Sequence, residues 1–163
     1  MNLTGAAGEH YVMSQLLRRD FIAALAPVGV PNTDIVVTDA VGDRLASLQV
    51  KSRRELGGDG GWHMGKKHEA IVGELLFYCF VDFGVDLKAH PRCWVLPSAV
   101  VAETIRESYR VWLSTPGKGG RMRNSTDHRR FLPNFDRTGI SIERGAGWLD
   151  PYEDNWEQLR GVV

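Results

Sequence analysis

Apolar positions change their spacing several times along this chain, and each change predicts an element. In "TGAAGEHYVMSQLLRRD", Val12, Met13, Leu16 and Leu17 recur at helical spacing. Thr4 is the predicted cap of this helix, and Glu9 is expected to complement its N-terminal dipole. Glu9 also falls on or beside the apolar stripe, where a carboxylate needs a partner. "FIAALAPV" predicts a short strand. "TDIVVTDAVGDRLASLQVKSRR" alternates with period two on either side of the turn residues "DAVGD", which predicts a β-hairpin. "GGDGGWHMGKK" reads as a glycine-rich loop, and "ELLFYCFVDFG" and "RCWVLP" as two apolar strands around the turn "DLKAHP". "SAVVAETIRESYRVWLS" returns to helical spacing, with Pro97 before it and Ser98 as a plausible cap. Thr115 to Arg130 reads as a mobile basic loop. "DPYEDNWEQLRG" reads as a short helix docked through Tyr152, Trp156 and Leu159.

This order predicts one α/β (α+β) layered domain with a mixed sheet over residues 1–163, with a core over 1–114 and an extension over 115–163. The composition, 43% apolar and 25% charged, places the chain among globular proteins rather than disordered ones. The longest apolar run, "LLFYCFV", lies between Glu74 and Asp82 and is far too short to span a membrane. The start "MNLTGAAGEH" has no signal-peptide pattern, and Cys79 and Cys93 read as buried thiols, so a reducing cytoplasm is expected.

The formal net charge is zero, which removes any argument from bulk basicity. The distribution is uneven, however. Lys51, Arg53, Arg54, Lys66 and Lys67 outnumber Glu55 and Asp59, and "KGGRMRNSTDHRR" carries five Lys or Arg against Asp127. Local basic patches can follow phosphates even when the total cancels, although solvated loops carry such charge as well.

The hairpin holds the candidate chemistry. A turn centred between Val41 and Gly42 sets Asp34 opposite Gln49 and Val36 opposite Ser47 on one face. Ile35 then opposes Leu48, and Val37 opposes Ala46, on the other face; a bulge would shift this register by one. Lys51 becomes the diagonal neighbour of Asp34, and Glu9 can approach from the helix. Asp34, Glu9, the amide oxygen of Gln49 and the backbone carbonyl of Val50 are oxygen donors of the kind Mg²⁺ takes, with waters completing the octahedron. Lys51 beside such an ion orients a water or holds a phosphate oxygen, which suits phosphodiester hydrolysis.

"TD" at Thr33–Asp34, followed by "QVK" with Gln49 fifteen positions after Asp34, resembles the motif of the PD-(D/E)XK nuclease superfamily. "GAAGE" resembles the N-terminal helix of its restriction-endonuclease-like and Holliday-junction-resolvase-like branches. The resemblance covers roughly the first hundred residues. It implies a restriction-endonuclease-like αβββαβ core, a four-stranded mixed sheet flanked by helices, here with a C-terminal helical extension. It further implies a Mg²⁺-dependent endonuclease acting on DNA, with Mn²⁺ as substitute and catalytic residues Glu9, Asp34, Gln49 and Lys51. Two departures stand out: Thr33 replaces Pro, and Gln49 replaces a carboxylate, which removes one charge from the site. The carboxylates near Lys51 are expected to favour its charged form, so orienting water and stabilising charge is the expected role.

Ser52, Arg53, Arg54, Lys66 and Lys67 are candidate phosphate contacts. His68 is a candidate general base but has no partner visible in the sequence, so the surface-histidine reading is favoured for it, as for His63. Trp62 either stacks on a base or packs under its loop. "DLK" at Asp86–Lys88 matches the motif literally but lies in a turn, and "DFG" at Asp82–Gly84 lacks any kinase context. "TPGKGG" has the wrong spacing for a phosphate loop, so no nucleotide cofactor is expected. A small one-site nuclease that cuts both strands calls for a homodimer. The alternative reading is a catalytically silent nuclease-fold module that binds nucleic acid or assembles with other chains. A domain without nucleic-acid function is the third.

Overall fold

In the computed structural model, residues 3–54, 60–140 and 142–161 are described; Glu55, Asp59 and the first part of the glycine-rich loop lie outside them. Helix α1 (Leu3–Leu17) precedes strands β1 (Ile22–Leu25), β2 (Ile35–Thr38) and β3 (Arg44–Arg53). Strands β4 (Trp62–Gly65), β5 (Leu76–Asp82) and β6 (Arg92–Pro97), helix α2 (Ser98–Ser114) and strand β7 (His128–Phe131) follow. Five strands form one mixed sheet in the order β1-β2-β3-β5-β6, and β4 pairs with β7 in a second, two-stranded sheet. The β3–β5 pair is parallel and the other neighbours in the large sheet are antiparallel.

The period-two pattern of β5 explains the three layers. Cys79 and Val81 face a core with Val12, Leu16, Ile35, Leu48, Trp156 and Leu159, where α1 and the C-terminal segment pack. Tyr78 and Phe80 face a second core with Trp62, Met64, Val101, Ile105 and Phe131, where α2 and the small sheet pack. Trp62 is therefore a core residue: its Nε1–H donates to the Val81 carbonyl at 3.2 Å and its ring meets Phe80 edge-on.

The glycine of "GAAGE" has a packing reason. A Cβ on Gly8 would lie 1.7 Å from Ser52 Oγ, so only a bare backbone lets α1 seat this closely on β3.

Several expectations need correction. Among the described residues, no α-helix stands between β3 and β5; they hold β4 and a 3₁₀ turn at Lys66–Glu69. That stretch lacks an apolar repeat of helical spacing, and Trp62 and Met64 of β4 already cover the sheet there. The core thus has five strands with α2 after the last of them, not four strands in αβββαβ order. Thr4 lies inside the first turn of α1, and Glu9 sits beyond that turn, where the dipole has faded. Leu17 is exposed rather than part of the buried stripe. Ser98 is the first residue of α2 and not its cap; its hydroxyl instead exchanges hydrogen bonds with the backbone of Gly73. The basic loop after α2 is anchored: Tyr109 Oη accepts the Thr126 N–H at 2.7 Å, and strand β7 begins at His128. The C-terminal segment is two 3₁₀ turns, Asp150–Tyr152 and Glu157–Arg160, not a helix. Among the described residues, no helix is long and apolar enough to cross a membrane.

Candidate active site

The hairpin register places the site. Ile35 pairs with Leu48, Val36 with Ser47 and Val37 with Ala46, as the alternation requires. A bulge follows between Val37 and Thr38, on the turn side, so the one-residue slip never reaches Asp34. Asp34 N–H donates to the Leu48 carbonyl at 2.8 Å, and Asp34 Oδ2 accepts the Val50 N–H at 2.7 Å. The carboxylate is thereby clamped to β3 by a charge-assisted bond to backbone.

On β3, Gln49 stands in register with Tyr78 and Lys51 with Phe80, on the face opposite α1. Gln49 is 7% exposed, and its Oε1 is buried without a hydrogen-bond partner. A buried acceptor left unsatisfied costs about 1–3 kcal/mol, and native structures tolerate few of them outside functional sites. Lys51 is half-buried. Burial lowers its pKa, the charge of Asp34 opposes that, and the neighbouring Lys67 ammonium adds to the lowering. The expected upward pull of the carboxylates is outweighed: Asp34 does raise the Lys51 pKa, but desolvation is larger and the net shift is downward. Glu9 approaches closely enough to feel Asp34. Its pKa is raised first by burial and then by the Asp34 charge, with His10 pulling the other way.

The 3₁₀ turn Lys66–Glu69 brings two more groups. Lys67 is exposed beside Lys51. His68 is buried rather than on the surface, and its Nδ1 lies 2.8 Å from Tyr78 Oη. Burial first, and then the Lys51 and Lys67 charges, push His68 down to about 4, so it is neutral at physiological pH. Burial likewise pushes the Tyr78 phenol up. The sequence reading missed this pair. Its only signal was a hydroxyl within the otherwise apolar run "LLFYCFV".

The other candidates lie apart from this group. Ser52 faces Gly8 on the α1 side, away from Lys51, and its Oγ is buried without a partner. Arg53 donates to Asp82 at 2.5 Å and lies 4.4 Å over the Trp62 ring. Arg54 and Lys66 are exposed. The geometry therefore gathers Asp34, Gln49, Lys51 and Lys67, with Glu9 at the edge and His68 and Tyr78 beneath.

A solved structure of a bacterial homing endonuclease, I-Ssp6803I, resembles this chain with a TM-score of 0.52, covering 98% of this chain and 91% of that one at 13% identity. The fold is nuclease-like. No family model matches the chain, and no curated protein matches it.

The donor set can be weighed for a cation. Among the described residues no three His, Cys, Asp or Glu side chains cluster to hold a metal. Mg²⁺, however, binds through one or two carboxylates and keeps several waters. Asp34 and the orphaned Oε1 of Gln49 are oxygen donors of that kind, and Glu9 lies near enough to Asp34 for the two charges to interact.

Proposed function

We propose that this protein is a Mg²⁺-dependent endonuclease of the PD-(D/E)XK type that hydrolyses phosphodiester bonds of DNA. The observation that carries the reading is the buried, unpartnered Gln49 Oε1 on the same strand face as Lys51, beside the clamped Asp34. The fold likeness to a homing endonuclease supports DNA as the substrate class. Asp34, Glu9, Gln49 and the Val50 carbonyl would hold the ion, with Mn²⁺ as a substitute. Bound there, it would supply Lewis-acid polarisation of a phosphate oxygen.

The chain's own residues account for the rest. Lys51, whose pKa burial lowers, is assigned the proton of the attacking water, its unprotonated fraction being larger than that of an ordinary lysine. A new P–O bond forms, the P–O bond to the leaving oxygen breaks, and that oxygen takes a proton from solvent. Lys67 lies where a cation offsets charge on the phosphate. His68 and Tyr78 form a neutral, hydrogen-bonded floor that keeps a third cation out of the site.

Supercoiled plasmid, single strands and branched DNA incubated with Mg²⁺ or Mn²⁺, beside a Lys51→Ala control, test the proposal. Cleavage by wild type alone supports it. Equal cleavage by both proteins exposes a contaminant, and cleavage by neither sinks it. The second reading, a silent binding module, is favoured by one observation: the site has two carboxylates and an amide where a third acidic ligand would strengthen metal binding.

A further inference from the structure

A cavity of about 290 Å³ opens where α2, β7 and the segment after β7 meet, away from the Asp34 site. Its floor is apolar, from Leu132, Phe135 and Ile140, and its rim carries Trp112, Arg123 and His128. One wall belongs to a four-layer stack. The Arg129 guanidinium lies 3.2 Å over Tyr109, Tyr109 stacks on Trp112 at 5.4 Å and 22°, and Arg123 covers Trp112 at 4.8 Å. The two arginines differ. Arg129 is buried and paired with Glu69. Arg123 is half-buried, donates to the Trp112 carbonyl at 3.0 Å, and has no carboxylate partner among the described residues.

This combination discriminates among ligands. A bare anion needs the cation but not the apolar floor. An apolar ligand needs the floor but not an unneutralised guanidinium. A planar, anion-bearing heterocycle uses both, because bases stack on aromatic rings and on guanidinium planes alike. The cavity is also coupled to the catalytic side: Glu69, which holds Arg129, belongs to the same turn as Lys67 and His68.

We propose that this cavity receives an unstacked nucleobase of the bound strand, with the Arg123 guanidinium, the end layer of the stack held up by Trp112, as the stacking platform. The proposal rests on the nucleic-acid reading of the Asp34 site and adds to it a single-stranded element of substrate recognition.

The test is fluorescence anisotropy in EDTA, with a labelled oligothymidylate and an abasic oligonucleotide of equal length and phosphate count. Stacking on one platform predicts roughly five- to hundredfold weaker binding of the abasic strand. Arg123→Gln and Trp112→Leu, each checked for an unchanged melting profile, should erase that difference. Equal binding of the two strands by wild type, or no binding of either, overturns the proposal. So does a base preference that both variants keep. Plasmid cleavage in Mg²⁺ is scored separately. A protein that prefers base-bearing strands but cuts nothing refutes the nuclease and keeps the pocket. A protein that cuts without the preference does the reverse.

Discussion

The side chain of Asp34 accepts the backbone N–H of Val50 at 2.7 Å, so the candidate acid on β2 is held by the residue between Gln49 and Lys51. This bond lets charge and geometry be varied separately. Asp34→Asn keeps an acceptor oxygen for Val50 and should melt near wild type. Asp34→Ala removes it and should cost about 1–2 kcal/mol, which is roughly 2–8 °C for a chain of this size. Both variants should lose any rise in melting temperature produced by Mg²⁺ or Mn²⁺, because both remove the charge. Calorimetric melts with and without metal check this, and a metal response that survives in Asp34→Asn contradicts the assigned ligand.

Gln49 is the weak point of the metal set, since its buried Oε1 brings no charge. Gln49→Glu should tighten Mg²⁺ binding by about tenfold, the order expected for one added charge–charge contact at partial burial. Titration calorimetry reads the change directly. Weaker binding in the Glu variant would place the ion elsewhere.

Lys51 loses its proton more readily than an ordinary lysine because burial opposes its charge. Activity should therefore rise with pH and level off below the ordinary lysine value of 10.5. Lys51→Arg keeps a cation that cannot deprotonate, and should lower kcat by about a hundredfold or more. If Lys51→Arg retains most activity and its pH profile, Lys51 acts by charge alone.

His68 makes stability depend on pH. Its folded value, about 4, lies below the ordinary 6.5. The contribution of the neutral form is thus fully present above pH 6.5 and is lost as pH falls through about 4. The total is roughly 3 kcal/mol. His68→Gln should flatten this acid limb in urea melts taken between pH 4 and 7. A limb unchanged in the variant assigns the acid sensitivity to another group.

Gly8 should not tolerate a side chain. Gly8→Ala gains helix propensity, about 1 kcal/mol, but drives a methyl into Ser52. Overpacking of this kind costs about 1–3 kcal/mol, so the net change should be destabilising. Gly8→Ala combined with Ser52→Gly should recover the loss, and thermal melts of the single and double variants decide it.

How much of this was legible beforehand follows from which interactions are local. Period-two alternation predicted the register of Ile35, Val36 and Val37 with β3 correctly, because one slip would turn Ser47 and Gln49 into the apolar core under α1 and Leu48 out of it. Helix α2 was read to within one residue of its limits for the same reason: an apolar repeat bounded by Pro97 is a local signal. The missing helix after β3 was not legible. A family resemblance suggested it, while the role of Trp62 and Met64 as the covering layer emerges only once β4 pairs with β7.

The sequence by itself determined the hairpin, the facing of Asp34, Gln49 and Lys51, and the alternation that gives β5 two buried faces. These follow from backbone periodicity and need no distant partner. Tertiary structure decided the rest. It buried Lys51 enough to lower its pKa, set Lys67 beside it, and turned His68 from an apparent surface residue into the partner of Tyr78. It also spent Arg53 on Asp82 and Trp62. Desolvation and charge pairing depend on which segments meet in space, and no spacing along the chain records that.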